Sequence, residues 1–385
     1  MKVIMLTRSA FPFHEIGGLE KFVYYLSKNL MKEGVDVEIV TSSNKTKMRK
    51  VGDLKYTFVP PLVSSNPNFP HLIRASHLYL CYYLFIISAA KCLTKKKFDI
   101  LHSYEMSAQK YLRFEKRSPT IVQAFDNEVC KVEGYKKILW NPAVLQLKDC
   151  MVQCDAIASE GEFQNKEIVK LFGVDKEKII SIPVGVDLDL VEEELEKKVL
   201  SREELGLSDR DFVLISVNRF TPVKGINYLV EAFSIIKSQL DNAKLLLIGA
   251  GPEENRIRDQ VHKLKLTESV LHLKNISESL LYSYYSLADV YVSPTLQEDF
   301  IIGILEAMAC GKPIVSTGQS FMVHSEINGY VVPKRNAKAI ADAVLKMYDK
   351  DECKAMGNMS REIVKDYDWR VVARKAIKEY ERLIY

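Results

Sequence analysis

No Cys-x-x-Cys pair occurs anywhere in the 385 residues. The seven cysteines (Cys81, Cys92, Cys130, Cys150, Cys154, Cys310 and Cys353) are odd in number and scattered. This speaks against a disulfide framework and against a thiolate metal centre, and it suits core thiols in a reducing compartment. Cys150 and Cys154 share a helical face, but two thiols alone do not make a metal site. Long apolar runs are missing too. The longest, Leu78 to Ala90, has 13 residues, short of the ~20 needed to span a bilayer, and it reads as a buried or surface-attached helix. The opening run Met1–Leu6 is too short for a signal-peptide core and reads as a first buried strand. There is no low-complexity tract, no internal repeat and no Gly-x-Gly-x-x-Gly fingerprint. The Asp-x-Asp at Asp187-Leu188-Asp189 falls in the join between domains rather than at a strand end. No metal, cofactor or nucleic-acid partner is therefore expected. The expected location is cytoplasmic, with the inner face of the cell membrane as a peripheral variant.

Overall charge is also modest, at +4, but it is unevenly spread. Met1 to Cys150 carries 23 Lys/Arg against 13 Asp/Glu, and the remainder carries 31 against 37. An excess on one half points toward an anionic surface or ligand, or else toward solvated loops. Its densest clusters are Lys45–Lys50 and Lys95–Lys97.

The length is comfortable for two domains. Short Val/Ile/Leu runs alternate with amphipathic stretches from end to end: Lys2–Leu6, Val35–Val40, Asp99–His102, Thr120–Phe125, Ala156–Ser159 and Ile179–Pro183. After the charged stretch Val191–Arg202 the rhythm restarts with Phe212–Val217, Lys244–Ile248, Val270–Leu273, Val290–Ser293 and Pro313–Ser316. Helical spacing marks Gly18–Glu33, Ile226–Leu240 and Glu253–Leu264. Continuous apolar strands are buried on both faces, which implies parallel sheets covered by helices. The expected class is α/β, with two doubly wound Rossmann-like domains facing a cleft. Their expected spans are 1–187 and 188–365, followed by a terminal segment 366–385.

In such sheets ligands bind beyond the carboxyl ends of the strands, so the chemistry is sought in the loops there. After the first strand, Gly17-Gly18 opens a helix, where bare amides and the helix dipole suit an anion. After Phe212–Val217, Arg219 and Lys224 stand five apart and can converge on a diphosphate, one as a fork and one as a point charge. Gly249-Ala250-Gly251-Pro252 reads as a tight turn. After Val290–Ser293 come Glu298, then Phe300-Ile301-Ile302, then Glu306 on an otherwise apolar helix. A buried carboxylate there needs a partner, and ribose hydroxyls would serve. Glu298, at the helix's edge, is placed to hold a sugar hydroxyl while first-turn amides face a phosphate.

Taken together, these motifs resemble the family-4 retaining glycosyltransferases of GT-B fold. The match takes in the Gly-Gly loop, the Arg219/Lys224 loop, Gly249-x-Gly251, the glutamates seven apart, the string Glu306-Ala307-Met308-Ala309-Cys310-Gly311-Lys312-Pro313, and a terminal helix with Trp369. The resemblance implies a metal-independent, retaining hexosyltransferase using a UDP-, GDP- or ADP-sugar, with a glycan or lipid-linked acceptor. It implies that Arg219 and Lys224 bind the diphosphate, Glu306 the ribose and Glu298 the transferred sugar, with Asn275-Ile276 against the base. The final helix, Trp369 to Leu383, would return to the first domain. Departures are Ile301 for a usual glycine, Asn218 for glycine, Val184 for asparagine, a shortened Gly318–His324 segment, and Asp126 where a histidine usually stands. His102, Tyr104 and Asp126 are the acceptor-side candidates. A nucleotide-sugar epimerase of the same fold and a non-catalytic sugar-nucleotide-binding protein are the alternatives.

Overall fold

Val3, Ile4, Met5 and Leu6 are all fully buried although consecutive side chains of a strand point to opposite faces. Leu214 and Ile215, Leu245 and Leu246, and Val290, Tyr291 and Val292 repeat the pattern. Strands of this kind need helices on both sides, and the chain supplies them in two separate units. The computed structural model describes residues 1–14, 17–62, 71–124, 135–197, 199–296, 302–317 and 322–385. The first unit comprises Met1–Val184 with Trp369–Tyr385, and the second comprises Gly185–Asp368.

The first unit contains β1 (Lys2–Leu6), α1 (Gly18–Lys32), β2 (Asp36–Ser42), β3 (Lys47–Val51), β4 (Leu54–Val59), α2 (His71–Leu93), β5 (Ile100–Tyr104), α3 (Gln109–Phe114), β6 (Thr120–Gln123), α4 (Tyr135–Gln153), β7 (Ala156–Ser159), α5 (Glu162–Phe172) and β8 (Ile179–Ser181). Its eight strands run in the order β3-β4-β2-β1-β5-β6-β7-β8. All pair in parallel except β3 with β4, a hairpin turned at Gly52-Asp53. The order reverses at β1, which pairs with β2 on one side and β5 on the other.

One feature here departs from the sequence-based expectation. The lysine cluster at 45–50 is largely an edge strand rather than a loop. Its solvent-facing KMRKV sequence has no apolar alternation to betray it, and its charges keep an open edge from pairing with another chain. The apolar stretch Leu78–Ala90 lies within α2, which buries Tyr82, Phe85, Ile86 and Ala89 and leaves Leu80 and Leu84 exposed.

The second unit contains α6 (Leu188–Lys197), β9 (Phe212–Val217), α7 (Ile226–Lys237), β10 (Ala243–Ile248), α8 (Glu254–Lys263), β11 (Val270–Leu273), α9 (Glu278–Leu287), β12 (Val290–Ser293), α10 (Ile302–Ala309), β13 (Ile314–Thr317), β14 (Gly329–Val332), α11 (Ala337–Lys346) and α12 (Lys350–Val364). Its sheet runs β11-β10-β9-β12-β13-β14, all parallel, and reverses at β9 between β10 and β12. The charged stretch after 190 is mostly α6, an amphipathic helix that buries Val191.

The last helix, α13 (Trp369–Ile384), belongs to the first unit. Val372, Ala373, Ala376 and Tyr380 form its buried stripe at helical spacing. Trp369 meets Phe22 edge-on at 5.4 Å and stacks on Tyr25 at 6.1 Å, both on α1. Arg374 adds an exposed ion pair to Glu33 at 2.9 Å.

Candidate donor and acceptor sites

The loops at the carboxyl ends of β9, β10 and β12 are knitted backbone to backbone. Phe220 N donates to Ala250 O at 2.9 Å, and Leu296 N donates to Val223 O at 2.8 Å. Two glycines permit the approach. At Gly225 (φ +63°) a Cβ would stand 2.1 Å from the Pro294 carbonyl oxygen, and at Gly249 (φ +142°) 1.9 Å from that of Asn218. The Gly249-x-Gly251 turn thus serves to bring two strand ends together. The Phe220 ring stacks on His272 at 4.9 Å, and His272 Nε2 lies 2.8 Å from Gly249 O, closing the layer beneath.

On this platform sit Arg219, exposed, and Lys224, half-buried in a short turn of 3₁₀ helix over Pro222–Lys224. Neither side chain has a hydrogen-bond or ion-pair partner among the described residues. Two cations without an ion-pair partner among the described residues, at the strand where a parallel sheet reverses, make a candidate anion site.

Glu306 lies on α10, which follows β12, the strand that pairs with β9, and is buried. Tyr285 of α9 donates to its Oε2 at 3.0 Å. Burial, with the Glu306 charge beside it, pushes the Tyr285 phenol well above its ordinary range, so it remains a donor. The same surroundings raise the Cys310 thiol to about 12, which leaves it inert. Asn275 is exposed, in a left-handed conformation (φ +57°), and Ile276 is half-buried. Both precede Ser277, whose hydroxyl caps α9. Ile302 opens α10. Glu298, Phe300, Ile301 and Asp126 lie outside the described residues.

In the first unit, Gly17 and Gly18 stand at the start of α1, but the helix brings its own anion. Glu20 Oε2 occupies the place where a Gly17 side chain would lie, 2.7 Å from its ideal Cβ, and Ser9 Oγ bonds to Glu20 Oε1. His102 and Tyr104, expected at the acceptor, are instead buried in the core. The Gln123 amide nitrogen donates to Ile182 O at 3.3 Å, which turns its oxygen toward His102 Nε2, 3.2 Å away. That leaves His102 Nδ1 to accept from the Tyr380 hydroxyl at 2.7 Å. Burial lowers the His102 pKa to about 4, so the ring is neutral. Tyr104 stacks on His102 at 5.0 Å, and its hydroxyl points at Met5 Sδ. The physical reason is α13, which covers this face of β5 from the far end of the chain.

Sequence reasoning passed over Arg8 and Glu105, which do reach solvent at this reversal. Arg8 Nε lies 3.2 Å from Glu105 Oε2, with side-chain exposures of 34% and 27%. The usable signal was the one applied to Arg219: a charge immediately past a strand end.

A cavity of about 540 Å³ lies at the opposite, amino end of the second sheet, lined by Arg202, Asp289, Lys312, Tyr348 and Cys353 among others. There Lys312 Nζ donates to the carbonyls of Ser286 and Ala288, and Arg202 holds Leu287 O and both oxygens of Asp289. Arg202 and Lys312 are thus spent on the C-terminus of α9 and on Asp289, and the cavity lies away from the carboxyl ends of the strands, where ligands of such sheets bind.

Comparison with known proteins supplies the context. The model of glycosyl transferases group 1 matches residues 198–363, and that of glycosyltransferase family 4 matches residues 16–190. An uncharacterized glycosyltransferase of Methanocaldococcus jannaschii is 25% identical, over 99% of this chain and 98% of its own. D-inositol 3-phosphate glycosyltransferase 2 of Catenulispora acidiphila is 24% identical, over 100% and 95%. Sucrose-phosphate synthase from Thermosynechococcus elongatus superposes with a TM-score of 0.81 at 22% identity, covering 99% of this chain and 98% of that one. Anabaena HepE, solved in complex with UDP and glucose, does so with a TM-score of 0.72 at 16% identity, over the whole of both chains.

Proposed function

Since the chain belongs to the family-4 glycosyltransferases of GT-B fold, we propose that it moves a sugar from a nucleotide-diphosphate donor to a glycan or lipid-linked acceptor. The reaction runs with retention and without a metal, the second unit holding the donor and the first the acceptor. The observation that carries this is the pair Arg219 and Lys224, without an ion-pair partner among the described residues, on the glycine-knitted platform at the β9 reversal.

Breaking the bond between the anomeric carbon and the diphosphate oxygen builds negative charge on the leaving group. Arg219 and Lys224, carried on a backbone platform that is in place before the donor arrives, stabilise that charge, and the amides at the start of α10 add to it. Glu306 takes the ribose hydroxyls, with Tyr285 holding its other flank. The proposed roles are the transferred sugar for Glu298, the base for Asn275-Ile276 and the acceptor for Asp126. Transfer occurs on one face of the sugar: the departing phosphate oxygen accepts the proton of the incoming hydroxyl as the new bond forms. The membrane surface is the proposed meeting place for a lipid-linked acceptor, supported by the basic edge strand β3 and the exposed Leu80 and Leu84 of α2.

HepE was solved with UDP, and a relative 30% identical over half of this chain is named a GDP-mannose-dependent mannosyltransferase. The donor test therefore compares UDP, GDP and ADP by thermal shift. One of them should raise the melting temperature, since a ligand at a hundred times its Kd stabilises the native state by about 2.7 kcal/mol. Lys224→Ala and Glu306→Ala should each weaken that shift. No response to any of the three nucleotides rejects the donor site.

A further inference from the structure

The geometry points to Arg8 and Glu105 as a recognition site for a neutral, hydroxyl-rich acceptor, a sugar or polyol bearing no phosphate or carboxylate at the end that is bound. This rests on the glycosyltransferase reading and names the acceptor's chemistry.

Arg8 stands two residues past β1, and Glu105 directly follows β5, the neighbouring strands at which the first sheet reverses. Open α/β sheets bind ligands outside the carboxyl ends of such strands. Glu105 is held there in a left-handed backbone conformation (φ +54°), uncommon for a side chain other than glycine. Its Oε2 faces an ion pair and a hydrogen bond. Arg8 Nε approaches to 3.2 Å, and the Tyr82 hydroxyl donates at 3.1 Å while lying 3.0 Å from Ser107 Oγ. The guanidinium also lies 5.9 Å from the centre of the Tyr82 ring. Glu105 Oε1 and both Nη atoms of Arg8 have no partner among the described residues. The free edge of the pair therefore offers one strong acceptor beside two charged donors.

Charge decides what fits that edge. Glu105 balances Arg8, and Glu20 adds a second carboxylate whose field also reaches the guanidinium. A phosphate seeking the Nη donors would meet the bare Glu105 oxygen next to them. A hydroxyl meets no such conflict, because it donates to Oε1 and accepts from Nη at once. The contrast is with Arg219 and Lys224, which form no ion pair among the described residues and suit a diphosphate.

The test measures binding to the full chain by saturation-transfer NMR. The probes are myo-inositol, methyl α-D-glucopyranoside and methyl α-D-mannopyranoside, their phosphorylated counterparts inositol 1-phosphate, glucose 6-phosphate and mannose 6-phosphate, and octyl glucoside below its micelle concentration. Wild type should bind at least one neutral probe more tightly than its phosphorylated counterpart. Glu105→Gln and Arg8→Gln should each weaken that binding roughly 10- to 100-fold, as loss of a charge-assisted hydrogen bond does, and Arg8→Lys should weaken it less. Octyl glucoside binding more tightly than the methyl glycosides identifies a lipid-linked source, and equal binding a free glycan. The site is overturned if no neutral probe binds wild type, if phosphorylated probes bind better, or if the variants bind as wild type does. The thermal shift with UDP, GDP or ADP should survive in Glu105→Gln, which reports an intact fold. Its absence in wild type would reject the donor reading and leave the polyol result standing by itself.

Discussion

The two sheets reverse in the same way and finish the reversal with different materials. In the second unit the strand ends are closed by backbone against backbone, with Gly225 and Gly249 leaving room, and the cations above find no ion-pair partner among the described residues. In the first unit the ends are closed by side chains: Arg8 with Glu105 and Tyr82, and His102 with Gln123 and Tyr380. A glycine-knitted platform holds positive charge for a ligand to neutralise. A side-chain network neutralises itself and offers only hydrogen bonds. One topology thus yields two chemistries, set by whether charges at the strand ends are paired within the protein.

The largest expected effect comes from removing the unpaired charges. Arg219→Ala and Lys224→Ala should each lower transfer by about 100- to 1,000-fold, or about 3–4 kcal/mol of leaving-group stabilisation, with little change in melting temperature. Steady-state rates alongside a thermal melt measure both, and full activity in either variant would erase the contrast between the two reversals.

Next is the platform itself. Gly225→Ala places a Cβ 2.1 Å from the Pro294 carbonyl at φ +63°, and steric conflict with backbone at a left-handed position should cost about 3 kcal/mol. Urea unfolding followed by fluorescence reads this, and an unchanged midpoint would show that the loops are not held as tightly as their spacing implies.

The first unit should instead answer to pH. His102 is neutral in the fold with a pKa of about 4, below its ordinary 6.5, so the folded state excludes a proton that the unfolded chain accepts. Its contribution is complete above pH 6.5 and fades as pH falls toward 4, by up to about 3 kcal/mol. Tyr380→Phe leaves Nδ1 without its donor and should cost about 1 kcal/mol at neutral pH. Urea titrations across pH 4–7 would show this, and a flat profile would remove the buried histidine from the account.

The smallest effect concerns the surface. Vesicles containing anionic lipid should carry the chain upward in flotation at low salt and release it at high salt, because each basic residue of β3 contributes about 1 kcal/mol near such a surface. No flotation at low salt would reduce the basic edge to protection against strand pairing.

Much of this was legible along the chain. Short runs such as Leu245-Leu246-Leu247-Ile248, bounded by turn residues, read as strands covered on both faces, and Arg219 and Lys224 announce themselves by following one. The hairpin β3–β4 was not legible, because a solvent-facing edge strand carries no apolar rhythm. Nor was the fate of His102. Alternation in β5 places it on one face of the sheet, and nothing local says that Tyr380, 278 residues later, fills that face.

The sequence by itself determined two parallel-sheet units, the strand ends that bear chemistry, and the cations at one of them, because burial on both faces and charge after a strand are local properties. Only the tertiary structure decided which polar groups remain open: it paired Arg8 with Glu105, filled the room at Gly17 with Glu20, and sealed His102 under α13. Pairing and covering depend on residues far apart in the chain, and no local pattern encodes them.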